Sequence, residues 1–272
     1  MKISKDSHLQ WNIATHDNLA RKYEAIHGEI YNEYEQARLQ IQLGSAIEQI
    51  NSVGKTKVAL DFGCGAGNLT KHLSNLGLDV IATDVSIGFL NLVGSKKHPR
   101  EVKTIQLNGY DLSNIPNESV DMVATYSVLH HIPDYLGILH EFMRVLKKGG
   151  VVYIDHEHSD EFWQKSEVYK EFRLVMKKYI PFDFSKYFVV TNYYDWLIRR
   201  FFNPRYHREG DIHVFDDDHI DWEKIKTTLI EAGGEVITSK NYLLFRRNFN
   251  IAVYDKYKEK TTDMHVLVLR KK

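Results

Sequence analysis

The run Val58-Ala59-Leu60-Asp61-Phe62-Gly63-Cys64-Gly65-Ala66-Gly67-Asn68 constrains the fold more than any other stretch. A short apolar segment runs into three glycines at alternate positions, and a helix is expected from Asn68. Apolar runs of this length suit a parallel strand buried on both faces. Clustered glycines let the chain turn sharply and bring its backbone close to a ligand. The amides that open the next helix then offer donors to an acceptor-rich ligand.

On either side, the hydrophobic period alternates between strand and helix. Strands are expected at Lys57–Asp61, Leu78–Asp84, Val102–Leu107, Val120–Tyr126 and Val151–Asp155. Helices are expected at 68–76, from a Ser86 cap to about Val93, and from Tyr135 to Lys147. Five alternations predict a parallel, doubly wound sheet with its ligands at the carboxyl ends of the strands. Glu235–Phe245 and Met264–Leu269 read as two closing strands after a helix at Ile220–Ala232, which makes seven. Residues 246–262 fit no single element. Before the sheet, Asp17–Ile50 has a helical period, with Gly28 and Gly44 as possible interruptions. After Asp155 the alternation stops, and 157–210 is crowded with aromatic and basic side chains. The expected organisation is a helical cap (1–54), a ligand-binding core (55–156), an inserted lid lobe (157–219) and a closing helix with strands (220–272).

Charge narrows the function classes. Thirty-six basic side chains balance thirty-six acidic ones, which argues against a dedicated nucleic-acid binder. The single cysteine, Cys64, excludes an intrachain disulfide. No apolar run is long enough for a signal peptide or a membrane span, so the expectation is a cytoplasmic protein.

The residues around the turn select the ligand. A phosphate-binding loop needs Gly-Lys-Ser/Thr, which is absent. A dinucleotide fingerprint wants Gly-x-Gly-x-x-Gly, whereas the spacing here is Gly63-x-Gly65-x-Gly67. Asp61 just ahead suits an ammonium better than a pyrophosphate. Asp84, ending the second strand, can accept from two ribose hydroxyls. Asp111 can accept from an adenine amine, with Asn108 as its local rival, and Leu112 offers a backbone amide. An amine, a ribose and an adenine are implied.

With these residues in place, the chain resembles a class I S-adenosylmethionine-dependent methyltransferase with a Rossmann-like core. Asp61-x-Gly63-x-Gly65-x-Gly67 is similar to the family's first motif, Asp84 to its ribose acid, and Asn108/Asp111-Leu112 to its adenine motif. Tyr126–Asp134 and Leu146–Gly150 resemble the segments after strand four and before strand five. Tyr23, Ile26–Ile30 and Glu35–Leu39 resemble the cap of many small-molecule members. The resemblance implies S-adenosyl-L-methionine as cofactor and S-adenosyl-L-homocysteine as by-product. It also implies a cofactor site of Tyr23, Arg38, Asp61, Phe62, Gly63, Cys64, Gly65, Gly67, Asn68, Asp84, Val85, Asn108, Asp111, Leu112, Tyr126 and Ser127.

Methyl transfer to oxygen also needs a base. The candidates are His130, His131, Asp155 and His156, all at the ligand end of the sheet. Cys64 reads as a packing residue rather than a nucleophile. His213, Asp216, Asp217, Asp218 and His219 match no metal-ligand spacing, and no metal is assigned. The expected acceptor is a small molecule methylated at O or N. The alternatives are an RNA or protein substrate, or a catalytically silent cofactor-binding scaffold. No nucleic-acid partner is expected, and the oligomeric state stays open, homodimer included.

Overall fold

The computed structural model describes residues 27–179, 197, 200 and 220–272. The expectations placed on Tyr23 and the rest of 1–26, on most of the aromatic lobe, and on the His213–His219 cluster lie outside the described residues. The described elements are α1 (Glu33–Ile47), β1 (Val58–Phe62), α2 (Asn68–Asn75), β2 (Asp79–Asp84), α3 (Ile87–Ser95), β3 (Val102–Gln106) and β4 (Val120–Tyr126). They continue with α4 (Tyr135–Val145), β5 (Leu146–His158), α5 (Asp160–Gln164), α6 (Glu167–Lys177), α7 (Trp222–Glu231), β6 (Gly234–Tyr242), α8 (Ile251–Tyr257) and β7 (Met264–Lys271).

Seven strands form one sheet in the order β3-β2-β1-β4-β5-β7-β6. The pairs from β3 to β5 are parallel, and β7 is antiparallel to both β5 and β6. β1 and β4 are neighbours although β2 and β3 intervene in the chain. This is the switch point, and a crevice opens beyond its strand ends.

The strand side chains alternate between two cores. Leu60, Val123, Val152 and Ile154 face α4 and α7, meeting Leu139, Phe142, Ile225 and Leu229. Ala59, Met122, Ala124, Val151 and Tyr153 face α1 and α2, meeting Leu39, Leu43, Leu69 and Leu73. Helices on both faces explain why β4 is buried along its whole length.

Three elements differ from the sequence expectation. Within the described residues the helix before the sheet runs from Glu33, where Asn32 caps it by accepting from the Glu35 amide, so the helical period is interrupted on the Gly28 side as expected and not at Gly44. Gly28 lies in the turn before it, and Gly44 sits inside the helix rather than breaking it. β5 runs from Leu146 to His158, well beyond 151–155, because Lys147–Gly150 continues the strand past a register shift against β4. The segment 246–262 contains α8, whose Val253 and Tyr257 pack with Tyr169, Phe172 and Met176 of α6.

A buried ionic cluster ties α1 to the strand ends. Arg38 donates to Glu35 at 2.5 and 2.8 Å and to Asp155 at 2.8 Å, and lies 3.9 Å above the Tyr242 ring. Tyr126 donates to Glu35, and Tyr153 and Tyr242 donate to Asp155. Asp155 and Glu35 are almost fully buried. Removing the cation would strand two carboxylates, which costs far more than the pair contributes net. Arg38→Ala is expected to lower stability by about 3–5 kcal/mol, measured by urea unfolding. A loss under about 1 kcal/mol, the range of an exposed pair, would contradict this account of the cluster.

Candidate functional site

A cavity of about 380 Å³ lies at the carboxyl ends of β1, β2 and β4. It is lined by Asp61, Phe62, Gly63, Cys64, Gly65, Asn68, Asp84, Val85, Asp111, Tyr126, Ser127 and His131, all expected site residues. Ile30 and Tyr31, just before α1, close one side, and Phe89, Tyr110 and Ile132–Asp134 complete the wall.

The turn is held open by local geometry. Gly63 has φ +71°, and a Cβ there would meet Val128 Cγ2 at 2.6 Å. Any other residue would therefore be strained and would clash. Gly65 has φ +48°, and its amide donates to Asp84 Oδ2 at 2.9 Å. Gly67 opens α2 in the left-handed region and supplies no capping side chain. Every other described α-helix carries a side-chain cap. Of the described helices that start at the cavity, α2 is thus the one whose first amides have no side-chain cap and are left to a ligand.

Asp61 is 1% exposed. Thr70 donates its hydroxyl to Oδ2 at 2.5 Å, while Oδ1 is buried with no partner. Burial pushes its pKa up to about 7, against the lowering effect of the Thr70 bonds. An orphaned carboxylate oxygen on a cavity wall calls for a cation, and the amine of an amino acid head group fits it. Asp84 Oδ1 accepts the Ser86 amide at 2.9 Å. Each of its oxygens thus accepts a backbone amide, and a carboxylate oxygen can accept more than one bond, as a diol requires. Asp111 lines the cavity, and its exposed carboxylate is held below the usual range by bonds from Ser113 and Asn108.

Other expectations are corrected. Asn108 braces the turn by accepting the Tyr110 and Asp111 amides, and it does not line the cavity. The Leu112 amide is donated to Glu141 at 3.1 Å, so it is not offered to a ligand. Arg38 is committed to the ionic cluster rather than the cavity. Asp155 accepts from Arg38, Tyr153, Tyr242 and the His156 amide and does not line the cavity, so it serves the frame rather than a substrate. His156 stacks on Tyr126 with ring centroids 4.5 Å apart and does not line the cavity. Burial drives its pKa well below the usual imidazole value, so it is a weak proton acceptor. Burial likewise raises the Cys64 thiol well above its ordinary pKa, in keeping with a packing role.

His131 lines the cavity, and its ring lies 3.9 Å from that of His130. His130 Nδ1 is 2.7 Å from Glu157 Oε2. Glu157 Oε1 accepts the Val128 and Leu129 amides at 2.8 and 2.7 Å. Sequence reasoning missed Glu157 because a strand ending at Asp155 leaves it in a loop. Instead β5 continues through a bulge, with His156 at φ +62°, and a bulge re-aims the side chains beyond it. Thr70 was also missed. A hydroxyl in the first turn of the helix after an acidic strand end was the available signal.

Comparison with known proteins agrees with the fold and with a methyltransferase. A family model described as a methyltransferase domain matches residues 60–154. A demethylmenaquinone methyltransferase of Staphylococcus saprophyticus is 30% identical over 195 residues, covering 68% of this chain and 78% of that protein. A malonyl-(acyl-carrier protein) O-methyltransferase of Yersinia pestis is 30% identical over 155 residues, and that match spans just over half of either protein, 55% and 56%. An S-adenosylmethionine-dependent methyltransferase structure from Mesorhizobium loti has a TM-score of 0.54 at 16% identity, over 85% of this chain and 97% of that one. At that identity the likeness speaks to the fold.

The raised pKa of Asp61 gives a linkage test. Below about 7 the carboxyl is mostly protonated. An ammonium at Oδ1 favours the ionised form, so binding at pH 6 must expel a proton. Affinity for S-adenosylmethionine is expected to rise with pH up to about 7. Calorimetry in buffers of different ionisation enthalpy should show a proton released at pH 6 that is lost in Asp61→Asn. Equal proton release by the two proteins would refute the assignment.

Proposed function

The chain belongs to the class I S-adenosylmethionine-dependent methyltransferases, and we propose that it methylates an oxygen or nitrogen of a small-molecule acceptor. The observation that carries the cofactor part is the unpartnered Asp61 Oδ1 beside the uncapped start of α2. Support for a small acceptor comes from the balanced charge and from relatives named for menaquinone and malonyl-carrier substrates.

When bound, the cofactor supplies a methyl group on a sulfonium, already activated for displacement. The chain's own residues then bind, orient and exclude water. Asp61 takes the ammonium, Asp84 the ribose hydroxyls and Asp111 the adenine amine. Phe62, Phe89 and Ile138 give the cavity apolar walls. Alignment of acceptor and methyl group is the main task, and such positioning supplies on the order of 7–11 kcal/mol in favourable cases.

For an oxygen acceptor, the base is assigned to His130. Glu157 fixes the ring by accepting a hydrogen bond from Nδ1–H, and in that tautomer Nε2 is the acceptor nitrogen of the ring. His131, whose ring lies 3.9 Å from that of His130, lines the cavity. A nitrogen acceptor that reacts as the neutral amine needs no base and loses its proton afterwards. The N-terminal segment as cap and residues 157–219 as lid complete the proposal, with α6 and α8 as the lid's packed base.

Purified protein incubated with methyl-labelled cofactor and fractionated cell extract should label small metabolites. Label confined to RNA or protein would overturn the acceptor class. With an oxygen acceptor in hand, His130→Asn is expected to lower kcat by about 10²–10⁴ and leave cofactor affinity within about twofold. An unchanged kcat would remove His130 from catalysis.

A further inference from the structure

Asn68 opens α2 on the cavity wall and is only 9% exposed. Its Oδ1 accepts from Gln36 Nε2 at 2.9 Å, and its Nδ2 is buried with no partner. The orientation of this amide is not arbitrary. Gln36 Nε2 also donates to the Ile30 carbonyl at 3.1 Å, and a carbonyl can only accept. That contact identifies the nitrogen end of Gln36 and places its Oε1 against His72 Nε2 at 2.9 Å. His72 must therefore carry its proton on Nε2. Burial and the nearby Lys71 lower its pKa to about 4, so the ring is neutral at ordinary pH. The chain Ile30 carbonyl, Gln36, His72 thus forces Asn68 to accept through oxygen and to keep its NH₂ for the cavity.

The same wall holds an orphaned acceptor in Asp61 Oδ1 and an orphaned donor in Asn68 Nδ2. An acceptor and a donor lining one cavity match an ammonium and a carboxylate on one carbon, an α-amino acid head group. We infer that Asn68 binds the carboxylate of S-adenosylmethionine, and that Gln36 and His72 are positioning residues that hold its amide in the required orientation. The inference rests on the cofactor-site reading above. It adds a role for α1, which contributes Gln36 from outside the glycine-turn motif. Gln36→Glu keeps the size of the side chain but turns its donor into an acceptor. Asn68 would then rotate, giving its NH₂ to the new carboxylate and its oxygen to the cavity.

The test compares S-adenosylmethionine with its decarboxylated analogue, which keeps the amine and lacks the carboxylate. Titration calorimetry is run on wild type, Asn68→Ala and Gln36→Glu, with thermal melts to check folding. Each variant is expected to weaken S-adenosylmethionine about tenfold, the size of one hydrogen bond to a charged group. Binding of the analogue should change by less than about twofold. Equal weakening of both ligands, or no weakening of either, would overturn the inference and leave the cofactor site standing. Should Gln36→Glu fail to fold, Asn68→Ala decides the carboxylate contact and Gln36→Leu decides the positioning role. If the wild type binds neither ligand, the cofactor-site reading fails and this inference with it.

Discussion

The glycine turn hangs from the end of β2. The Gly63 and Cys64 amides both donate to the Thr83 carbonyl, at 2.9 and 2.8 Å, and the Gly65 amide donates to Asp84. These bonds join two consecutive parallel strands at their carboxyl ends, where the ladder itself has stopped. They fix the distance between Asp61 and Asp84, and with it the span between the proposed amine and ribose sites. They also set where α2 begins. A parallel sheet alone would leave a crevice here, and the hung turn gives that crevice a defined floor.

That floor carries a free-energy cost. The folded pKa of Asp61 is raised from 3.8 to about 7. Folding therefore disfavours its ionised form, and the ligand-free protein loses stability as pH rises through that window. The uncapped α2 and the unpartnered Asn68 amide add to the cost. The opposite device stands a short way off, where Arg38 neutralises Glu35 and Asp155 with several tyrosine hydroxyls in support. Two unpaired atoms, Asp61 Oδ1 and Asn68 Nδ2, lie on the cavity wall, and the paired groups of the Arg38 cluster hold the frame beside it.

How much of this was legible in the sequence depended on whether the signal was local. The strands β1 to β5, the glycine turn and the acids Asp61 and Asp84 were readable because each lies within one apolar run and its flank. Asp111 and Asn108 were both flagged, but only side-chain direction separates a cavity residue from a turn brace. Asp155 and His156 were misjudged for a related reason. Their position at a strand end suggested chemistry, yet their partners come from α1, β6 and β4, far apart in sequence. The register shift before Glu157 had no local signature at all, so the carboxylate facing His130 stayed hidden.

The N-terminal helix shows why such long-range pairings matter for function. α1 presents Gln36 towards α2 and Arg38 and Glu35 towards β4, β5 and β6, all within one helical turn. Residues one and two apart on a helix point in different directions, whereas Glu35 and Arg38, three apart, share a face, so one short segment reaches two parts of the molecule. The Arg38 cluster sets the position of α1 on the sheet. Gln36 then transmits that position to Asn68 through a hydrogen bond of 2.9 Å. A displacement of the helix by an ångström would break that bond while leaving the glycine turn intact. The proposed cofactor site is therefore completed by a segment that precedes the sheet, held in place by a salt bridge whose residues do not line the cavity.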